Sequence, residues 1–151
     1  MEQQSSGQPT IDKIKAAWGW VGLDPEEIIR ENEFGNLLIR DTEGQYWRLC
    51  PEDTYCEVVA LNHDELTQLL SDSEFIEDWN MDRLVCEAKN KLGTITGNRK
   101  YCLKIPGVLG GEYGGDNLGT IELEELIDFS GCLAYQIKDL PDGCQIKFDV
   151  V

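Results

Sequence analysis

Apolar residues in this chain alternate with polar ones through its second quarter and recur at three- and four-residue spacing on either side. That is the pattern of a β-meander set between helices. From Pro9 and Thr10 onward, Ile11, Ile14, Ala17 and Trp18 share one face of a first helix, which Gly19 and Gly22 end. Asp24-Pro25-Glu26-Glu27 reads as the start of a second, short helix stopping near Asn32. Asp caps, Pro at the first helical position lacks only an N–H that had no partner, and acids favour the positive helix end. Strands follow at 37–41, 45–50 and 56–60, the first two joined through Thr42, Glu43 and Gly44. Asn62 then caps a helix carrying Leu66, Leu69 and Leu70. One further helical stretch, 75–92, aligns Phe75, Ile76, Trp79, Val85, Cys86 and Ala88 before Gly93 closes it.

A polar turn at 96–99 leads into a strand at 101–105, which delivers the chain into residues 107–119, where six of its fifteen glycines fall. Glycine enters left-handed backbone regions without steric cost but weakens regular elements, so this run is a shaped loop. It carries Glu112, Tyr113, Asp116 and Asn117, side chains suited to contacting a partner rather than to tethering. The chain leaves it through Thr120 and Ile121 into a helix with Leu123, Leu126, Ile127, Ala134 and Ile137 inward. Glu122, Glu124, Glu125 and Asp128 point outward. A turn at 139–143 and a final strand at 144–151 complete the pattern. The expected fold is α+β: a disordered leader at 1–9, then a single domain at 10–151 with a mainly antiparallel sheet and helices packed against it.

Charge narrows the partners. Thirteen Lys and Arg stand against 29 Asp and Glu, a net charge of −16 on 151 residues. Such a surface repels phosphate backbones and anionic headgroups, which disfavours direct nucleic-acid or membrane binding and steers a basic partner inward. No run of apolar residues approaches membrane-spanning length. The N-terminal residues lack a basic and an apolar region, so a secretory signal is not expected and the cytoplasm is the expected compartment. The six cysteines, at 50, 56, 86, 102, 132 and 144, form no CxxC pair and read as reduced core thiols. With one histidine in the chain, no zinc site is expected.

Catalytic chemistry finds little support. His63 stands at a helix start, no G-x-S-x-G elbow occurs, and Cys102 lacks a histidine partner, so no catalytic residue is assigned. The loop fits neither glycine-rich phosphate motif and offers acids where an anion would need Lys or Ser. Glu112, Asp116 and Asn117 lack the spacing of a calcium loop, so no cofactor or metal is assigned. Trp18, Trp20, Trp47 and Trp79 read as core residues, whereas Tyr113, between glycine pairs, reads either as a protein-binding anchor or as a ring folded back over the sheet.

The run from Tyr101 through Pro106 and Gly107 to Tyr113, then Asp116-Asn117-Leu118-Gly119-Thr120, then Gln136-Ile137-Lys138-Asp139-Leu140-Pro141-Asp142-Gly143, resembles the C-terminal domain of bacterial type VI secretion DNase-immunity proteins. Asn32-Glu33-Phe34-Gly35-Asn36-Leu37 and Tyr46-Trp47-Arg48-Leu49-Cys50-Pro51-Glu52-Asp53 look like the first half of that domain, so the resemblance runs from about Leu23 to the end. Longer members carry a GAD-like domain ahead of this region, which residues 1–22 are too few to supply. The resemblance implies a non-enzymatic cytoplasmic immunity protein that binds a cognate toxin, a basic nuclease, and blocks it. The acidic composition agrees, since an inhibitor rich in carboxylates can occupy a phosphate-binding groove. The partner-binding residues expected on this reading are Glu112, Tyr113, Asp116, Asn117, Glu122, Glu124 and Glu125. The alternative is an intracellular small-ligand-binding or adaptor domain whose loop at 107–119 closes on a polar molecule. A third reading is an enzyme using Glu112 or Asp116 as general base.

Overall fold

The central sheet is buried on both faces because helices cover each side of it. A computed structural model describes residues 7–140. Helix α1 (Gly7–Trp18) leads through a 3-10 turn (Gly19–Val21) into strands β1 (Pro25–Glu31), β2 (Leu37–Asp41), β3 (Tyr46–Cys50) and β4 (Tyr55–Ala60). These pair in chain order as a four-stranded antiparallel meander. Helices α2 (His63–Leu70), α3 (Ser73–Asn80) and α4 (Asp82–Leu92) follow. A two-stranded antiparallel sheet of β5 (Arg99–Leu103) and β6 (Leu118–Glu122) comes next, then helix α5 (Leu123–Ile137).

Period-two alternation sorts the side chains between layers. Leu37, Ile39, Trp47 and Leu49 meet Ile14 and Trp18 of α1 and Ile127 and Ala134 of α5. From the opposite face, Leu38 and Tyr46 meet Leu66 of α2 and Trp79 of α3. A third cluster joins Leu84, Val85 and Ala88 of α4 to Tyr101, Leu103 and Leu118 of the small sheet and to Phe34. The architecture is the expected α+β domain with a mainly antiparallel sheet.

Several local expectations are corrected. The segment expected as a helix from Asp24 to near Asn32 is the edge strand β1 (Pro25–Glu31): adjacent Ile28 and Ile29 pack into cores on opposite faces of the sheet, which a strand permits and a helix does not. Pro25 opens this edge strand, where its missing N–H costs no interior ladder bond. The stretch read as one helix from 75 to 92 is two, broken at Met81, whose φ is 51°. The Asn32 side-chain amide donates to the Trp79 carbonyl at 2.8 Å, holding the end of α3 in place of a continued helical bond. Strand β6 went unread because Gly119 and Thr120 give it little apolar pattern; β5 supplies its pairing.

Trp20 is not a core residue. It is 39% exposed, stacked on Trp18 at 6.0 Å and edge-on to Tyr135 at 5.3 Å. Cys50 and Cys56 are buried thiols as expected, but Cys86 and Cys132 are exposed. Gly7, Gln8 and Pro9, assigned to the leader, are the first residues of α1. The turn at 139–143 is described only to Leu140, and the strand expected at 144–151, with Cys144, lies outside the described residues.

Helices α1 and α5 approach closely because Gly131 has no side chain. A β-carbon there would stand 2.5 Å from the Ala17 carbonyl oxygen and 2.8 Å from the Ala17 β-carbon. Gly131→Ala is therefore expected to force the two helices apart and to cost about 1–3 kcal/mol in urea denaturation, despite the better helix propensity of alanine. An unchanged unfolding midpoint would show that the contact is slack.

Candidate functional site

The site grows from a buried polar chain. Arg48 lies on the α3-facing side of β3, only 5% exposed, where its guanidinium needs partners. Its Nε and Nη2 donate to Asn36 Oδ1 at 3.0 and 2.8 Å, and Nη1 donates to Asp78 Oδ2 at 2.7 Å. The rings of Phe75 and Trp79 lie 5.7 and 5.2 Å from its charge. Asn36, fully buried, passes the connection on: its Nδ2 donates to Glu52 Oε1 at 2.8 Å. Glu52 lies in the turn after β3, and its backbone carbonyl accepts from Gly107 N–H at 2.9 Å. The turn at 51–54 is thereby fastened to the glycine-rich loop, more than fifty residues later in the chain.

That loop is a folded object. Two 3-10 turns, Gly107–Leu109 and Gly115–Asn117, bracket it, and Asn117 ties it together. Asn117 Oδ1 accepts from Ile105 N–H at 2.8 Å, while Nδ2 donates to the carbonyls of Ile105 and Glu112 at 2.9 and 2.7 Å. The backbone passes so close at two places that no side chain fits. A β-carbon at Gly111 would overlap the Ile105 carbonyl, and one at Gly107 would overlap the Tyr113 phenol. Tyr113 thus lies across Gly107, and its hydroxyl donates to the Asp53 carboxylate. Burial, and then this acid, hold the phenol above its ordinary pKa, so it remains a donor.

The seven residues expected to bind a partner separate into groups. Glu112 and Tyr113 are exposed on the loop, and the Glu112 carboxylate makes no ion pair among the described residues. Asp116 is fully exposed and pairs with Lys91 of α4 at 3.0 Å, which lowers its pKa. Asn117 is the internal clamp just described. Glu122 pairs with Arg99 at 3.7 Å, at the far end of the β5–β6 hairpin from the loop, about 13 Å away by the rise per strand residue. Glu124 accepts from Thr10 at 2.9 Å and from Asn98, and Glu125 is exposed on the same turn of α5. The structure does not bring Glu122, Glu124 and Glu125 together with the loop. It adds Asp53, Ile105 and Val108, which residue patterns had not singled out. Asp53 could have been suspected only from its place in the Pro51-Glu52-Asp53 run.

Cys50, Glu52 and Asp53 offer a thiol and two carboxylates within 4.8 Å of one another. Burial pushes the Cys50 thiol up, away from the thiolate a metal needs, and both carboxylates already accept internal hydrogen bonds, so these residues do not fit a metal centre well. The cavity between Pro51, Glu52, Pro106 and Phe129, beside the residue that precedes the loop, is about 10 Å³, room for one water at most. Larger spaces lie elsewhere: an open groove of about 670 Å³ along Trp20 and Tyr135, and a cleft of about 330 Å³ between α1 and β1. Among the described residues no helix is long and apolar enough to cross a membrane.

The class of protein this defines is an α+β domain presenting a pre-shaped, acid-bearing loop face. Residues 60–134, about half of the chain, match the family described as T6SS immunity protein Tdi1, C-terminal, so this stretch is similar to that family of type VI secretion immunity proteins. The match supports a toxin-neutralising role, with a cognate effector as partner. The match begins at the last residue of β4 and takes in the whole loop; the earlier segments that resemble the family, 32–37 and 46–53, lie outside it. No curated protein matches the chain.

Two substitutions test the site's construction. Asn117→Ala removes three hydrogen bonds and is expected to destabilise the fold by about 1–3 kcal/mol and to speed amide exchange across 105–117. Unchanged exchange would mean the clamp is dispensable. Burial raises the Glu52 pKa against the opposing pull of hydrogen bonds that include Asn36. The fold therefore favours protonated Glu52, and stability from this group is fully present below the unfolded pKa and lost as pH rises through the folded one. Glu52→Gln keeps an acceptor for Asn36. In urea titrations across pH it is expected to be at least as stable as wild type at neutral pH and to flatten the decline; a marked loss at neutral pH would contradict this.

Proposed function

We propose that this immunity protein neutralises a nuclease by placing the loop face, with Glu112, Asp116 and Tyr113 of the loop and Asp53 of the neighbouring turn, against the basic groove in which the toxin holds phosphates. The observation that carries this reading is the rigid seating of an acid-bearing loop on a chain whose net charge is −16. A nuclease groove must be positive to bind its substrate, so an inhibitor with the opposite field is drawn toward it and needs no catalytic group. Glu122, Glu124 and Glu125, at the other end of the hairpin, add to the long-range field rather than to the same contact. The site of action on this reading is the cytoplasm, where the nuclease meets DNA.

The rival reading, a small-ligand or adaptor domain using residues 107–119, has less support, since the loop is closed by its own hydrogen bonds. An enzyme with Glu112 or Asp116 as base has less support, since both side chains are exposed.

Co-purification with the product of the gene beside its own, followed by DNA degradation at low and high salt, tests the reading. A complex that silences the nuclease and weakens as salt rises is expected; no complex and no protection would overturn it. Charge reversal at Glu112 and Asp116 together is expected to slow association roughly tenfold at low salt, with the difference shrinking at high salt. Equal association rates would remove the loop acids from the encounter.

A further inference from the structure

The loop face is not only acidic. Ile105, Val108 and Tyr113 are 52%, 49% and 44% exposed, three of the large apolar side chains that the fold leaves in water, and all three ride on the clamped loop. Loop tips ordinarily carry small or polar residues. Here the backbone beneath Ile105 is bonded twice to Asn117, Val108 sits inside a 3-10 turn whose first N–H is held by Glu52, and Tyr113 is fastened to Asp53. Holding apolar side chains outward on a rigid frame lowers the entropy lost when they are buried by a partner. The acids nearest to them, Asp53 and Glu112, stand at the rim, where charges remain hydrated and steer rather than hold.

We propose that Ile105, Val108 and Tyr113 are the apolar anchor of the toxin-binding face and set the lifetime of the complex, while Asp53 and Glu112 at its rim set how fast the complex forms. This rests on the immunity reading above and deepens it. The occupant is a protein surface with an apolar depression ringed by lysines or arginines. A second copy of this chain does not fit, because two bodies of net charge −16 repel. A groove lined by basic residues alone would leave three apolar side chains without a complement, so the toxin's phosphate-holding groove is expected to carry an apolar depression beside its basic residues.

The test is stopped-flow and surface-based kinetics of the full chain against the purified cognate toxin, for wild type and for Ile105→Ser/Val108→Ser. Dissociation is expected to rise about 10- to 100-fold, with the association rate within about twofold of wild type and the ratio between the two proteins independent of salt. Thermal unfolding checks that the double variant is folded; if it is not, Val108→Thr, which keeps the shape and adds a hydroxyl, is expected to raise dissociation several-fold on an intact fold. Unchanged dissociation in the folded variant, with wild type binding tightly, would overturn the anchor and leave the immunity reading standing. Failure of wild type to bind the toxin would overturn both.

Discussion

A charged guanidinium buried in a β-sheet face must be satisfied, and the structure depends on how Arg48 is satisfied. Asp78 neutralises it from α3, Asn36 accepts two of its hydrogen bonds from the loop before β2, and Asn36 hands the connection to Glu52. Removing any one partner would leave a buried polar group exposed to a medium that cannot hydrogen-bond it, which is far more costly than the modest net value of the bonds themselves. The chain of contacts thereby fixes α3, the sheet and the turn at 51–54 relative to one another, and it ends at the Gly107 N–H. A binding face on a loop gains precision when its foundation is specified in this way.

Glycine in this loop serves proximity. The Gly111 backbone lies against the Ile105 carbonyl and Gly107 lies under Tyr113, so side chains at either position would dismantle the clamp that Asn117 and Asp53 complete. Rigidity and exposure are therefore produced together: the same absence of side chains that lets the loop fold on itself leaves Ile105, Val108 and Tyr113 outside it. On the proposed reading, an acidic field acting over a Debye length and an apolar surface acting at contact divide the work of capture and retention between them.

Much of this was legible in the sequence, and the failures have physical causes. The meander, the Asn62 cap and the long last helix follow from periodicity and capping chemistry, and the structure has them. The Asp24-Pro25-Glu26-Glu27 segment carries strong helix-start chemistry, yet a free strand edge on β2 and burial of Ile28 and Ile29 on opposite faces override it, as tertiary context does. The break at Met81 depends on Asn32, nearly fifty residues away, and no local pattern signals it. Glycine density located the loop itself, which the structure has between β5 and β6. Sequence could not distinguish Asn117, turned inward as a clamp, from Glu112, turned outward. Nor could it join Asp53 to Tyr113, because that contact exists only once the Arg48 chain has folded.

On the proposed reading the loop and the 51–54 turn together form the face that meets the toxin. Hydrogen-exchange footprinting of the complex tests it most directly. The account predicts protection concentrated at residues 51–54 and 104–117, with the Trp20 and Tyr135 groove between α1 and α5 unchanged. Protection confined to that groove, with the loop exchanging as it does in the free protein, would contradict it.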